Sequence, residues 1–291
     1  MKLKNTWQRG LALHKSVQDI INMKKDEKKI SVITSYDYTL ASLCDKAGID
    51  VLLVGDSAGM VMLGYENTIP VTMDQMCMFT EAVSRGRKNS LLMSDLPFMS
   101  YQTSIDDAIK NSGRLIKAGA DAVKLEGGAP MAETISAIVD VGIPVMGHIG
   151  LQPQTTILSQ GYKVQGKTKN AALKLIDDAK ELEEAGVFSI TLEMVSHEVA
   201  DIISETISVP TIGIGSGIGC NGQVLVVQDL LGMYEKLKPK FAKRYMNLSE
   251  DIVKAVENYK NDVKLGTFPS QENWFSMEND ELKKLRDEIG R

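Results

Sequence analysis

The chain has 291 residues, of which 43% are hydrophobic and 24% are charged, a composition typical of a folded protein with one large domain. Its formal net charge of −5 argues against a partner such as nucleic acid, because binding phosphates needs a basic surface. No apolar run has the length of a membrane span, and the first residues lack the apolar segment of a signal peptide. The three cysteines are far apart and suit a reducing compartment, so the composition favours a cytoplasmic enzyme or metabolite-binding domain.

The first predicted element is a helix. Residues 11–23 have an amphipathic pattern, and a lysine-rich turn follows over residues 24–29. Together they predict an N-terminal helical extension over residues 1–29 that covers the bottom of the next domain.

Short apolar segments rich in β-branched residues then alternate with helical patterns. Each segment has the length and composition of a buried parallel strand. Gly119 and Gly186 end two of the helical patterns directly before the next strand, as expected of a glycine that follows a helix. The predicted strands are residues 30–36, 51–56, 91–95, 122–126, 143–148, 187–193, 209–215 and 223–228, and the helices include 73–87, 104–117, 131–139 and 168–185.

Eight strands alternating with helices predict an α/β fold of the (β/α)8 TIM-barrel type. A doubly wound sheet is the alternative, but no GxGxxG motif follows the first strand, and the glycines of residues 213–217 come late and lack that spacing. We expect the barrel and its C-terminal helices to occupy residues 30–277. A charged tail over residues 278–291 completes the chain.

Acidic residues stand at the ends of three consecutive predicted strands: Asp56, Asp95 and Glu126. The carboxyl ends of barrel strands form the active-site face, and neighbouring strands lie roughly 4.8 Å apart. Three converging carboxylates repel one another unless a cation lies among them, and an all-oxygen set favours Mg²⁺ over Zn²⁺. The alternative is that each acid merely caps a helix or turn.

Three further residues are candidates for the same site. Lys124 lies two positions before Glu126 and therefore faces the same side of its strand, where it could bind an anionic substrate or pair with a neighbouring aspartate. Glu193 ends the sixth strand between two apolar residues, which suits a proton acceptor or, alternatively, a helix cap. His148 ends the fifth strand and could contact substrate, ligate the metal or simply belong to the core.

A divalent ion in an oxygen cage beside a lysine suits a 2-oxo acid, because the ion polarises the carbonyl and stabilises the enolate. A carboxylate on the opposite wall could take the proton. From the residues alone, aldolase, lyase, mutase and one-carbon transferase all remain open.

Six ordered motifs carry a resemblance to a known family. They are VGDSAGM at 54–60, DLPFM at 95–99, VKLEGG at 123–128, GHIGL at 147–151, GYKVQG at 161–166 and GIGSG at 213–217. Together they closely resemble the ketopantoate hydroxymethyltransferase family, over residues 30–275. The resemblance implies a TIM barrel of the phosphoenolpyruvate/pyruvate superfamily and homo-oligomers, commonly decamers. It implies transfer of a hydroxymethyl group from 5,10-methylenetetrahydrofolate to 3-methyl-2-oxobutanoate, giving 2-dehydropantoate, the first step towards pantothenate and coenzyme A.

The resemblance also implies roles for single residues. Asp56, Asp95 and Glu126 would bind one Mg²⁺ per subunit. Ser57 and Lys124, with the two aspartates, would hold the keto acid. Glu193 would accept the proton, and His148 would line the pocket. Two alternatives stay open: a lyase or mutase acting on another 2-oxo acid, although no KKCGH-like cysteine motif is present, and a barrel that only binds a metabolite or a partner.

Overall fold

The structure, a computed structural model, describes residues 14–155 and 163–291. Eight parallel strands close into a barrel in chain order, each paired with its neighbours in sequence and β1 paired with β8. The strands are β1 (Ile30–Thr34), β2 (Val51–Val54), β3 (Leu91–Asp95), β4 (Ala122–Glu126), β5 (Val145–Gly150), β6 (Ser189–Glu193), β7 (Thr211–Ile214) and β8 (Gly222–Leu225). The predicted TIM barrel is confirmed.

Helices surround this barrel and extend the chain at both ends. Those described are α1 (Val17–Lys25), α2 (Tyr38–Lys46), α3 (Ala58–Val61), α4 (Met73–Gly86), α5 (Ile105–Lys117), α6 (Ala132–Asp140), α7 (Lys169–Glu184), α8 (His197–Thr206), α9 (Val227–Leu230), α10 (Leu248–Leu265) and α11 (Asn279–Glu288), with two short 3₁₀ helices, Ala129–Met131 and Gln271–Asn273. None of the described helices is long and apolar enough to cross a membrane.

The helix boundaries follow from local sequence. Thr72 and Gln75 form a reciprocal capping box at the start of α4, and Thr168 caps α7 through its hydroxyl. Gly119 and Gly186 follow α5 and α7 with φ of 108° and 93°, backbone conformations that favour glycine. As predicted, each of these two glycines ends its helix shortly before the next strand begins.

Most predicted strand bounds differ from the observed ones by a few residues. β3 and β4 agree with the prediction, whereas the predicted eighth strand over 223–228 is too long. There α9 begins at Val227, whose backbone N–H donates to the Thr34 hydroxyl at 3.0 Å. The chain therefore leaves the sheet before residue 227. The apolar composition of residues 223–228 predicted a longer strand than the structure contains.

Side chains alternate between the barrel interior and the helix layer along every strand, as period-two geometry requires. The outward residues pack with the helices in the larger hydrophobic cluster, for example Leu52, Leu92 and Val123. The inward apolar residues form a second cluster with Ile20 of α1: Ile30, Val32, Val51, Leu53, Leu91, Met93, Ala122, Met146, Phe188, Ile212 and Val224. The amino-terminal half of the barrel is therefore filled by hydrocarbon.

Helix α1 closes the amino-terminal end of the barrel. Ile20 is fully buried against the inward-facing cluster. Lys24 Nζ donates to the carbonyl oxygens of Ser204, Ile207 and Val209 at 2.8–2.9 Å, which ties α1 to the end of α8. The predicted N-terminal helix thus corresponds to residues 17–25, and residues 11–13 of the amphipathic stretch lie outside the described residues.

The C-terminal helices have different surroundings. No residue of α10 or α11 is buried, and residues 251–291 expose almost every side chain. Helix α10 nevertheless has an apolar row at Ile252, Val256, Tyr259 and Val263, the i, i+4, i+7, i+11 spacing of one helix face. This part of the chain contributes nothing to the barrel core.

Candidate functional site

The predicted site residues all lie at the carboxyl end of the barrel. Asp56 follows β2, and Asp95, Glu126 and Glu193 are the last residues of β3, β4 and β6. The strand register pairs Asp95 with Lys124 and Glu126 with His148. Because inward-facing residues recur every second position, β4 directs both Lys124 and Glu126 into the interior.

One cavity of about 330 Å³ brings these side chains together. Its polar floor includes every residue that the sequence singled out: Asp56, Ser57, Asp95, Lys124, Glu126, His148 and Glu193. The segment after α9 contributes Leu237 and Phe241 to the apolar wall. A small polar ligand can therefore contact the floor while apolar side chains exclude water around it.

Lys124 and Asp95 form a buried ion pair. Lys124 Nζ donates to Asp95 Oδ1 at 2.8 Å, and both side chains are almost completely enclosed. Burial alone lowers the pKa of Lys124, but the carboxylates of Asp95, Asp56 and Glu126 outweigh it and raise the pKa above its ordinary value. Lys124 is therefore a permanent positive charge in the floor of the cavity.

Asp56 is a buried carboxylate in unfavourable surroundings. Its Oδ2 accepts a hydrogen bond from Gln154 Nε2 at 2.9 Å, and its backbone N–H donates to Asp95 Oδ2 at 3.2 Å. Burial and the negative charges of Asp95 and Glu126 raise the pKa of Asp56 to about 8, despite the opposing charge of Lys124. The site holds more negative charge than its own cation neutralises.

His148 lies between two of the acids. Its Nδ1 is 3.4 Å from Glu126 Oε1 and its Nε2 is 3.3 Å from Glu193 Oε2, ion-pair distances without hydrogen-bond geometry. Burial lowers the pKa of His148, but these two carboxylates raise it to about 9. Sequence position alone placed Glu193 across the barrel from the other acids, whereas in the structure the His148 ring links it to Glu126.

Ser57 lines the same cavity. Its Oγ is 2.8 Å from the hydroxyl of Tyr36, a buried residue just beyond β1. Burial raises the pKa of Tyr36, so this hydroxyl stays protonated. The pair positions the serine next to Asp56 without any charged partner.

Sequence reasoning missed Gln154 and Tyr101. Gln154 is 1% exposed, and it contacts Asp56 through its amide and Glu126 through its backbone N–H. Tyr101 is equally buried, and its hydroxyl donates to Gln154 Oε1 at 2.9 Å. Both lie in loops after strand ends, where an uncharged side chain gives no signal that would separate it from a solvated turn.

The donor set fits a hard divalent cation. Asp56, Asp95 and Glu126 offer only oxygen, and with Glu193 they make four carboxylates against two cationic side chains, Lys124 and His148. In residues 14–155 and 163–291, however, no three His, Cys, Asp or Glu side chains form a ready-made ligand set. Lys124 bonds to Asp95, and Gln154 bonds to Asp56 and Glu126. The donor chemistry and the charge therefore fit a divalent cation, although the three carboxylates are bonded to other residues of the protein.

Comparison with known proteins identifies the family. A family model described as ketopantoate hydroxymethyltransferase matches residues 14–271. The chain belongs to the ketopantoate hydroxymethyltransferase family. A protein of Nitrosopumilus maritimus named 3-methyl-2-oxobutanoate hydroxymethyltransferase is 84% identical over 96% of this chain and 100% of its own length. Proteins of the same name from Cenarchaeum symbiosum and Clostridium botulinum are 59% and 53% identical, over 90% and 94% of this chain and at least 99% of their own. The family resemblance seen in the motifs is confirmed, and the chain is an enzyme of this family.

Solved structures place this family member within a wider fold group. A phosphoenolpyruvate phosphomutase from Streptomyces platensis has a TM-score of 0.60 at 12% identity, covering 95% of this chain and all of its own. A phosphonopyruvate hydrolase in complex with oxalate and Mg²⁺ has a TM-score of 0.58 at 10% identity, covering 94% and 99%. A 2,3-dimethylmalate lyase described as a member of the PEP mutase/isocitrate lyase superfamily scores 0.56 at 13% identity, covering 95% and 100%. These similarities confirm the predicted TIM-barrel fold.

Proposed function

We propose that this enzyme transfers a hydroxymethyl group from 5,10-methylenetetrahydrofolate to 3-methyl-2-oxobutanoate in the cytoplasm, as the first step of pantothenate biosynthesis. In this reaction substrate C3 loses a proton and bonds to the methylene carbon, water supplies the hydroxyl oxygen, and 2-dehydropantoate and tetrahydrofolate are released. The observation that carries the proposal is the buried cluster of four carboxylates around Lys124 and His148 at the carboxyl end of the barrel. The names of the relatives at 53–84% identity support the substrate.

Asp56, Asp95 and Glu126 are the residues that would hold Mg²⁺. A bound divalent ion supplies electrophilic stabilisation of negative charge on the keto oxygen. The buried excess of negative charge and the all-oxygen donor set support this assignment. Removing the ion with a chelator is therefore expected to abolish turnover.

Lys124 and Ser57 would hold the keto acid. The Lys124 ammonium lies in the cavity floor, and a substrate carboxylate that reaches it replaces part of the attraction of Asp95. The Ser57 hydroxyl is oriented by Tyr36 and can donate to a substrate oxygen. A cation on β4 and a hydroxyl just beyond β2, both lining the same cavity, suit the two oxygen-bearing carbons of a 2-oxo acid.

Glu193 would accept the proton from C3. It is the most solvent-accessible of the four acids, with a side chain 16% exposed, and it lines the same cavity. The charged His148 ring lies against it, holds its position and separates it from Glu126. Glu193 therefore has a counter-charge beside it, which it shares with Glu126.

A reconstituted assay tests the reaction. Purified protein with 3-methyl-2-oxobutanoate, methylenetetrahydrofolate and Mg²⁺ is expected to form 2-dehydropantoate, detected by mass spectrometry. Omitting the folate donor, or adding a chelator, is expected to stop product formation. Turnover of another 2-oxo acid without folate would instead identify a lyase or mutase, and keto-acid binding without any product would identify a binding protein.

We also propose that the protein forms a homo-oligomer, a decamer as implied by the family resemblance. The apolar row of α10 supports it, because Val256 is 60% and Tyr259 is 57% exposed on a single chain. Val256→Glu is expected to lower the molar mass measured by light scattering after size exclusion. The control Asn258→Glu places the same charge about half a turn away, off the apolar row, and is expected to leave the mass unchanged. A monomeric wild-type protein would contradict the proposal.

A further inference from the structure

The structure assigns a positioning role to Gln154: one buried residue, held by Tyr101, orients two of the three acids proposed to hold the divalent ion. This inference rests on the proposed magnesium site and adds a residue that lies outside the ligand set. Gln154 is in the loop after β5, four residues beyond the end of that strand. It is 1% exposed, so its polar groups must find partners within the protein.

The amide of Gln154 has a defined orientation. Both Nε2 hydrogens are used, one by Asp56 Oδ2 at 2.9 Å and one by the Leu96 carbonyl at 3.0 Å. Its Oε1 accepts the Tyr101 hydroxyl at 2.9 Å. The reverse orientation would place Oε1 against a carboxylate and a carbonyl, which repel it. The amide therefore presents a donor, and only a donor, to Asp56.

The backbone of the same residue binds a second acid. The Gln154 N–H donates to Glu126 Oε2 at 3.0 Å. Tyr101 supports this end as well, because its hydroxyl accepts the backbone N–H of Glu126 at 3.1 Å. One oxygen of Asp56 and one of Glu126 are thus held by the same loop residue, while Glu126 Oε1 faces His148.

These contacts have the character of outer-shell support for a metal site. Partners that hydrogen-bond to ligating carboxylates fix their orientation, and their removal costs about 10- to 100-fold in metal affinity or activity. Gln154 and Tyr101 do this for two strands at once, and Asp95 is held independently by Lys124. We infer that loss of the amide weakens ion binding while the fold persists.

The test measures the binding of Mg²⁺ alone by isothermal titration calorimetry. Gln154→Met keeps an unbranched side chain but removes the amide, and its Kd for Mg²⁺ is expected to rise about 10- to 100-fold. Tyr101→Phe leaves the glutamine in place and removes its anchor, and a smaller rise in the same direction is expected. Gln102→Met is the matched control, because the amide of Gln102 is 3.5 Å from Gln154 Oε1 and makes no hydrogen bond to any of the three acids.

Circular dichroism and thermal unfolding of each variant separate positioning from loss of structure. If Gln154→Met does not fold, the rise in Kd for Tyr101→Phe decides the question. The inference is overturned if both folded variants bind Mg²⁺ within about twofold of wild type, or if Gln102→Met loses as much affinity as Gln154→Met. If the wild-type protein itself shows no Mg²⁺ binding, the proposed magnesium site fails, and the inference about Gln154 fails with it.

Discussion

Two aspartates at opposite ends of the barrel are buried to the same degree and behave in opposite ways. Asp45 lies in the last turn of α2 near the amino-terminal end of the barrel and is 5% exposed, while Asp56 follows β2 at the carboxyl end and is 6% exposed. The pKa of Asp45 is lowered to about 2, and that of Asp56 is raised to about 8. Burial raises the pKa of both, and the neighbours decide the direction of the net shift: hydrogen-bond donors lower that of Asp45, whereas nearby carboxylates add to the rise for Asp56.

Asp45 is surrounded by hydrogen-bond donors. It accepts from the backbone N–H groups of Asn89 and Ser90 and from their side chains, at 2.8–2.9 Å. Asp56 has one side-chain amide donor and faces two other carboxylates. Asp45 thus ties a helix end to a strand start and stabilises the fold. Asp56 costs folding free energy, and such sites are typical of function rather than stability.

The largest effect on the functional end is expected from Glu193→Gln. The amide keeps the shape but cannot accept a proton, so turnover is expected to fall about 10²- to 10⁴-fold. Exchange of the substrate C3 hydrogen with solvent, followed by NMR, is expected to disappear while keto-acid binding persists. Glu198→Gln, at an exposed position of α8, is the matched control and should keep full activity. Unchanged exchange in Glu193→Gln would remove this residue as the base.

Asp56→Asn is expected to separate stability from activity. The substitution removes a carboxyl group whose ionisation is opposed by burial and by two neighbouring carboxylates, so in the presence of a chelator the free energy of unfolding should rise by about 1–3 kcal/mol. Turnover should fall at least about 10²-fold, because an ion ligand and an electrostatic contact are lost. Denaturant unfolding and the reconstituted assay measure the two effects. Asp26→Asn, an exposed position, controls for charge removal in general.

Asp45→Ala is expected to do the reverse. It leaves the buried donors of Asn89 and Ser90 without their acceptor, so the protein should lose about 3 kcal/mol of stability. Turnover per folded molecule should stay at the wild-type value, since the residue is at the other end of the barrel. If turnover per folded molecule falls together with stability, the conclusion that Asp45 acts only on the stability of the fold is contradicted.

The smallest effect is expected from pH. Because the pKa of Asp45 is lower in the folded than in the unfolded protein, its contribution is present above about pH 4 and is lost as the pH falls towards about 2. The free energy of unfolding of the wild type should exceed that of Asp45→Asn by about 2 kcal/mol near neutral pH. This difference should become smaller below about pH 4. Unfolding at a series of pH values measures this difference. A constant difference would show that the charge of Asp45 is not the cause.

Part of the site was predictable because side chains alternate between the two faces of a strand. The acids at strand ends, and the shared direction of Lys124 and Glu126, required only strand boundaries and alternation. The partners of each side chain were not predictable. For Lys124 an ion pair and a substrate contact were both open, and the structure shows the pair with Asp95. Gln154 and the His148 link to Glu193 depend on loop paths and ring orientation, which have no period in the sequence.

The helices near the two ends of the chain also separate what the sequence predicts from what only the packed structure shows. Helices were predicted near both termini, the first from its amphipathic spacing, and helices are present at Val17–Lys25 and Leu248–Leu265. The first helix covers the end of the barrel as predicted and buries Ile20 there, but the sequence did not show that α10 keeps its apolar row exposed. A hydrophobic face specifies that a surface needs a partner, and only the packed chain shows whether that partner is its own barrel.

The sequence by itself determined the elements, their order and the closed parallel barrel, because hydrophobic period and glycine stops act over a few residues and right-handed crossovers leave few topologies. It also determined which residue types reach the carboxyl end. Tertiary structure decided which charges meet. Two aspartates eleven residues apart differ by several pKa units because the energy of a buried charge depends on the donors and charges within a few ångströms, and folding brings those neighbours from distant parts of the chain.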